Sequence, residues 1–271
     1  MPLFTLPNEP SVNLYYDTTG PSTASPILLI HGYCSDSHDW SWQIPVLAEK
    51  YHVIALENRG HGRSSAPKNC SYGPKLFARD AAALLKYLGY KKDVIVIGHS
   101  MGAMAASSLS IQNPELVKAV ILLDPPYWLS NERSDETVKH VREKPVEWAL
   151  LVYTTLVESD TPKWMTTWYN RRLVSVPEHV VLGSLEAIYK EGGEGRAEVC
   201  REYTKARKCP RLAIYWKEEG AEQEKALGMG ELDKVSVVGG VGHWFHQVRS
   251  EETNDILESW LERLESKVKA Q

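Results

Sequence analysis

Val94-Ile95-Val96-Ile97-Gly98-His99-Ser100-Met101-Gly102-Ala103-Met104-Ala105-Ala106 is the stretch that decides the fold. Its four β-branched residues predict a buried strand. The small residues from Gly102 onward predict a helix that packs closely. Between the two lies Gly98-His99-Ser100-Met101-Gly102, a G-x-S-x-G pattern in the strand–turn–helix context it requires. So sharp a turn forces Ser100 into strained backbone angles, which only small flanking residues tolerate. The hydroxyl then stands at the sheet edge, over a helix N-terminus that favours negative charge. Ser100 is the expected nucleophile, and His99 is expected to pack beside it.

The same rhythm extends outward. Ile27–Ile30, Tyr51–Leu56, Val120–Leu123, Leu212–Trp216 and Val235–Val238 are further short apolar runs. Continuous runs of this kind fit parallel strands covered on both faces. Phe77, Ala81, Leu84, Leu85 and Leu88 repeat at helical spacing, and Gly89 follows as a helix stop. Ile256, Leu257, Trp260, Leu261 and Leu264 form the buried stripe of a last helix. The expected class is α/β, a mostly parallel, doubly wound sheet with right-handed crossovers. The alternation stops after Leu123. Residues 125–208 are aromatic-rich and helical in pattern, so they are read as a helical cap inserted into a core of 1–124 and 209–271.

Composition narrows the function. At 271 residues, 43% of them hydrophobic, the chain can build a large core. A net charge of −4 gives no electrostatic reason to expect nucleic acid or an anionic membrane as partner. Cys34, Cys70, Cys200 and Cys209 form no C-x-x-C pair and no metal-ligand spacing. His38, His52, His140 and His179 show no ligand spacing either, so no metal and no cofactor is expected. The first ten residues do not read as a signal peptide, and no apolar run reaches the roughly 20 residues of a membrane span. A cytoplasmic enzyme with a small-molecule substrate is the default expectation.

A serine hydroxyl needs a base. The candidate is His243, in the glycine-flanked loop Gly239-Gly240-Val241-Gly242-His243-Trp244 before the last helix. His246 is read as a wall residue. Together these stretches resemble the α/β-hydrolase superfamily over nearly the whole chain. Ile30-His31-Gly32-Tyr33 resembles the family's H-G-x turn, which implies that the backbone N–H groups of Tyr33 and Met101 form an oxyanion hole. Glu57-Asn58-Arg59-Gly60-His61-Gly62-Arg63-Ser64 resembles the D-x-R-G-x-G-x-S turn, with Glu57 in place of Asp. Most relatives carry the third triad member after the strand at 212–216, where this chain offers Glu219. A minority place it one strand earlier, where this chain has Asp124, 24 residues after Ser100. Asp124 is preferred because a strand end is a rigid platform, with Glu219 as the alternative.

The early acid resembles fungal-type lactone hydrolases. The aromatic cap points to a mid-sized apolar ester or lactone. Residues expected to line the pocket are His31, Gly32, Cys34, His99, Tyr127, Trp128, Trp164 and Trp244. C–C bond or thioester hydrolysis and perhydrolysis would use the same triad. A ligand receptor, or a cyclase or isomerase, would use the same pocket without hydrolysis.

Overall fold

In the computed structural model, residues 2–269 are described, so positions 1, 270 and 271 of the expected core stretches lie outside them. The chain opens with β1 (Leu3–Leu6), β2 (Glu9–Thr19), β3 (Pro26–Ile30), a 3₁₀ turn (Ser37–Trp40), α1 (Ile44–Leu47) and β4 (His52–Leu56). Then come α2 (Pro74–Tyr87), β5 (Val94–His99), α3 (Met101–Gln112) and β6 (Val117–Leu123). Five helices follow: α4 (Asn131–Glu143), α5 (Pro145–Thr154), α6 (Lys163–Ser175), α7 (Glu178–Tyr189) and α8 (Ala197–Thr204). The chain ends with β7 (Arg211–Tyr215), α9 (Glu218–Lys225), β8 (Lys234–Val237), α10 (Phe245–Val248) and α11 (Ser250–Lys269).

The strands form one sheet in the order β1-β2-β4-β3-β5-β6-β7-β8. From β4 to β8 every pairing is parallel; β1 and β2 pair antiparallel, with each other and with β4. The expected parallel strands are all present. The two antiparallel ones escape the sequence reading because β2 buries only Val12, Leu14 and Tyr15 deeply and carries Pro10 near its start.

Alternation across the pleat divides the core in two. Leu28, Ile30, Val96 and Leu122 face one side, packing with α2 and α3. Ile27, Leu29, Ile95, Ile97 and Ile121 face the other, against Leu257, Trp260, Leu261 and Leu264 of α11. Each such side chain contributes about 1.5–3 kcal/mol by leaving water. With both faces covered, the C-terminal strand edges are the place where polar chemistry reaches solvent.

Residues 131–204 enter the chain between β6 and β7, above those edges. Among the described residues no helix is long and apolar enough to cross a membrane.

Two glycines set the distance between α3 and the sheet. A Cβ on Gly102 would lie 2.1 Å from the carbonyl oxygen of Ile30, and one on Gly98 would lie 2.2 Å from that of Gly102. Backbone blocks both approaches, so neither glycine can be replaced without moving the helix. Gly102→Ala is expected to destabilise the protein by about 3 kcal/mol or more. A denaturant midpoint equal to the wild type would refute this packing.

Candidate active site

Ser100 joins β5 to α3 at φ 53°, ψ −121°, a left-handed conformation unusual for a residue with a side chain. Its N–H donates to Leu123 O at 2.7 Å, tying the elbow to the end of β6. As the first residue of α3, Met101 has an N–H with no partner inside the helix. Among the described residues five non-glycine positions have positive φ: Cys34, Asp93, Ser100, Asp124 and Trp128. Three of them, Ser100, Asp124 and Trp128, line one cavity of about 350 Å³, and Cys34 is the chain neighbour of Tyr33, another lining residue. Strain gathered around one cavity makes it the candidate functional site.

His243 enters this cavity from the loop between β8 and α10. Its N–H donates to Leu156 O at 2.8 Å. The approach needs Gly242, at φ +80°, where a Cβ would sit 2.4 Å from the same carbonyl. On the ring, Nδ1 is hydrogen-bonded to Oδ2 of Asp124, which leaves Nε2 as the nitrogen free for another partner. Asp124 follows β6 directly, and its N–H donates to Ile214 O at 2.8 Å on the neighbouring strand. Ser100, Asp124 and His243 are each less than a tenth exposed.

Glu219, the alternative acid, lies at the start of α9, exposed at the cavity mouth, and His243 turns instead to Asp124. The strand before it ends at Tyr215, and the chain coils straight into a surface helix. The charged run is therefore helical rather than a loop.

The expected lining divides as well. Tyr33, His99, Met101, Tyr127, Trp128 and Trp244 are in the cavity wall. His31, Gly32, Cys34 and Trp164 are not, which corrects the sequence reading. His31 is fully buried behind the turn, with Nδ1 2.8 Å from Gly32 O and Nε2 accepting from Asn58 N–H at 3.0 Å. Gly32 provides clearance: a Cβ there would meet His99 Nδ1 at 2.8 Å. Cys34 borders a separate small cavity beside Arg172 and Val176, and burial pushes its thiol pKa well up, so it stays a protonated apolar filler. Trp164 is 61% exposed on α6. His246 is buried beneath the site instead of walling it.

That buried layer has no signal in the sequence. Asp39 accepts from Gly32 N–H at 3.0 Å, from the His99 ring at 3.0 Å and from Gln247 Nε2 at 2.7 Å. Burial by itself raises a carboxyl pKa, but His99 and His246 alongside hold Asp39 well below the usual range. Burial, with His246 next in weight, takes His99 down to about 3, so its ring is neutral at pH 7. The His99 Nε2 lies 3.2 Å from the backbone oxygen of His243. Asp39, His99 and His246 place three potential metal-ligand atoms within 4.8 Å of one another. Both Asp39 oxygens already accept N–H donors, so the cluster reads as a hydrogen-bonded support joining the turn, the elbow and the histidine loop.

Glu57, the departure from the family turn, closes the turn from within through Arg63. It accepts from Ser37 Oγ at 2.9 Å and from the Arg63 guanidinium at 2.6 Å. Gly62, at φ +55°, makes room for it, since a Cβ would come within 2.2 Å of Glu57 Oε2.

Known proteins share this architecture. The zebrafish (Danio rerio) serine hydrolase-like protein is 34% identical over 117 residues, 43% of this chain and 36% of that protein, so the match spans about a third of the relative's length. A soluble epoxide hydrolase from Corynebacterium is 26% identical over 83% of this chain and 74% of its own. Among solved structures, a thermophilic esterase from Thermogutta terrifontis superposes with a TM-score of 0.81 at 20% identity, covering 97% of this chain and 98% of the esterase. An enol-lactonase from Burkholderia xenovorans gives 0.78 at 17% identity, covering 96% and 99%. At those identities the likeness speaks for the fold. The alpha/beta hydrolase fold profile matches residues 25–201, well over half of the sequence, and the chain belongs to that family.

Proposed function

We propose that this protein is a serine hydrolase that cleaves a carboxylic ester or lactone bond of a mid-sized, largely apolar substrate. The observation that carries the reading is the pairing of His243 Nδ1 with Asp124, with Ser100 and the His243 ring opening into one cavity. The pairing selects the tautomer: with the proton on Nδ1, Nε2 is the base.

Ser100 Oγ attacks the substrate carbonyl while His243 Nε2 takes its proton. Asp124 stabilises the imidazolium that forms, and the carbonyl oxygen becomes an oxyanion between the N–H groups of Tyr33 and Met101. Collapse breaks the C–O bond, and His243 returns the proton to the leaving alkoxide. Water, activated by the same nitrogen, then hydrolyses the acyl-enzyme. Each oxyanion donor is worth about 2.7–4 kcal/mol of barrier. Tyr127, Trp128, Leu156, Leu185, Ile188 and Trp244 make most of the wall apolar, which suits an uncharged acyl or ring portion.

Epoxide hydrolysis, the activity in the Corynebacterium relative's name, is disfavoured by chemistry. A serine opening an epoxide would form an ether, which water does not cleave, whereas a carboxylate nucleophile forms a hydrolysable ester. The elbow here carries Ser100.

Two outcomes follow. Purified protein should turn over p-nitrophenyl esters of short to medium acyl chains, and Ser100→Ala should lower the rate by at least about 10⁴-fold. Binding without turnover would indicate a receptor, and full activity in Ser100→Ala would indicate a pocket chemistry that bypasses the serine. Asp124→Asn should reduce kcat by about 10⁴-fold, whereas Glu219→Gln should cost a few-fold at most. The opposite ranking would reassign the acid.

A further inference from the structure

Three charged side chains that the proposed chemistry does not use also line the cavity: Arg133, Lys217 and Glu219. Arg133 stands in the first turn of α4, its backbone N–H donating to Ser130 Oγ at 3.3 Å. Lys217 and Glu219 follow β7, where α9 begins. All three residues are exposed, whereas Ser100, Asp124 and His243 are buried, so the charges stand at the mouth and the triad at the floor.

The two cations lack protein partners. Elsewhere in the insertion arginines are ion-paired: Arg142 with Glu186, Arg172 with Asp36, Arg196 with Asp135 and Arg207 with Glu224. The Arg133 guanidinium makes no ion pair and no hydrogen bond among the described residues. Carboxylates near it on α4 are committed elsewhere, Asp135 to Arg196 and Glu136 to His140 at 3.8 Å. Glu132 is its neighbour in sequence, and such neighbours do not face each other on a helix. Lys217 has no carboxylate partner among the described residues either; its ammonium lies over the Trp216 ring, 4.0 Å from the centroid. Tyr189, in the cavity wall, relates Arg133 to the triad. Burial raises the Tyr189 hydroxyl pKa, Arg133 pulls against that rise and Asp124 adds to it, so this hydroxyl lies in the field of both. With Asp124 engaged by His243, the mouth carries two cations against the one carboxylate of Glu219. That is a local positive surplus in a chain whose net charge is −4.

We infer that the substrate is amphiphilic, with an apolar body that fills the cavity and a carboxylate, remote from the scissile bond, that binds Arg133 at the mouth, Lys217 adding a second cation. The inference rests on the serine-hydrolase reading above and refines its substrate class. A guanidinium meets a carboxylate through two parallel N–H bonds, and charge-assisted bonds of this kind are about twice as strong as neutral ones. A single negative charge matches the surplus at the mouth. Glu219 repels it, and would repel a dianion more. Arg133 is then a specificity residue: it touches the far end of the substrate, away from the reacting atoms, and decides between substrates by their charge. Because the mouth is open to water, salt screens the contact.

The test compares three chromogenic esters. One is p-nitrophenyl octanoate. The mono-p-nitrophenyl ester of suberate adds a carboxylate at the acyl end, and 3-carboxy-4-nitrophenyl octanoate adds one on the leaving group. Each kcat/KM is divided by the ester's own rate with hydroxide, and the readout is the ratio of anionic to neutral ester, in which general damage to a variant cancels. In the wild type at least one ratio should reach about tenfold, and the ester that shows it tells which side of the scissile bond faces the mouth. Arg133→Gln should lower that ratio at least about threefold, and raising the NaCl concentration should lower it in the wild type. Glu219→Gln should raise it. Ratios near one for both anionic esters overturn the inference. So does a preference that Arg133→Gln or high salt leaves standing, or one that Glu219→Gln reduces. The salt series needs no variant and decides the matter if Arg133→Gln fails to fold. If the wild type hydrolyses none of the three esters through Ser100, the parent reading falls as well. Ser100-dependent turnover of the neutral ester without a preference for either anionic one sinks this inference alone.

Discussion

The closeness of α3 to β3 and β5 is the constraint on which the rest depends. A helix that starts within contact distance of two strands leaves no room for a Cβ at Gly98 or Gly102. The chain between them must turn so sharply that Ser100 takes a positive φ. Strain of this kind costs about 1–3 kcal/mol and persists only where the surroundings over-determine it. Here they do: the Ser100 N–H is bonded to the end of β6, and strands on both sides of β5 are buried.

The same economy of position recurs around the cavity. Asp124 is the first residue beyond β6, next to the strand that delivers Ser100, so parallel pairing of two neighbouring strands brings the carboxylate and the hydroxyl to one edge. Glu219 lies in the first turn of α9, four residues beyond Tyr215 at the end of β7, and is exposed at the cavity mouth. A carboxylate on a strand end loses little freedom on pairing with an imidazole, whereas an exposed glutamate would have to surrender several rotamers. Beneath the visible residues, Asp39 joins three loops from distant parts of the chain through Gly32, His99 and Gln247. Such a carboxylate supplies rigidity, because both of its oxygens already accept N–H donors.

The insertion is more than a cover. Tyr169 stacks on Trp244 with centroids 4.1 Å apart, and its hydroxyl is bonded to Gln247 at 3.1 Å. With Tyr153 and Leu156 these contacts give the aromatic enrichment of the segment two purposes. Trp128 and Tyr153 line the cavity, Tyr153 and Tyr169 anchor the segment to the Tyr33 turn and the His243 loop, and Trp164 does neither. Composition cannot separate these uses, because each needs the same flat, amphipathic side chain.

What the sequence determined by itself is whatever depends on neighbours along the chain. The six parallel strands, the serine turn, the glycine-flanked histidine and the aromatic inserted segment were legible because their signals are local: β-branched runs, helical spacing, glycines where the backbone must bend. Tertiary structure decided what depends on pairing at a distance. It paired His243 with one of two carboxylates 95 positions apart, kept His31 and Cys34 out of the cavity wall, buried His246, and brought Tyr153 to a carbonyl 120 positions away. A hydrogen bond is set by a few tenths of an ångström and an angle, and no pattern of residue types carries that until the sheet order and the packing of the inserted helices have brought the partners together.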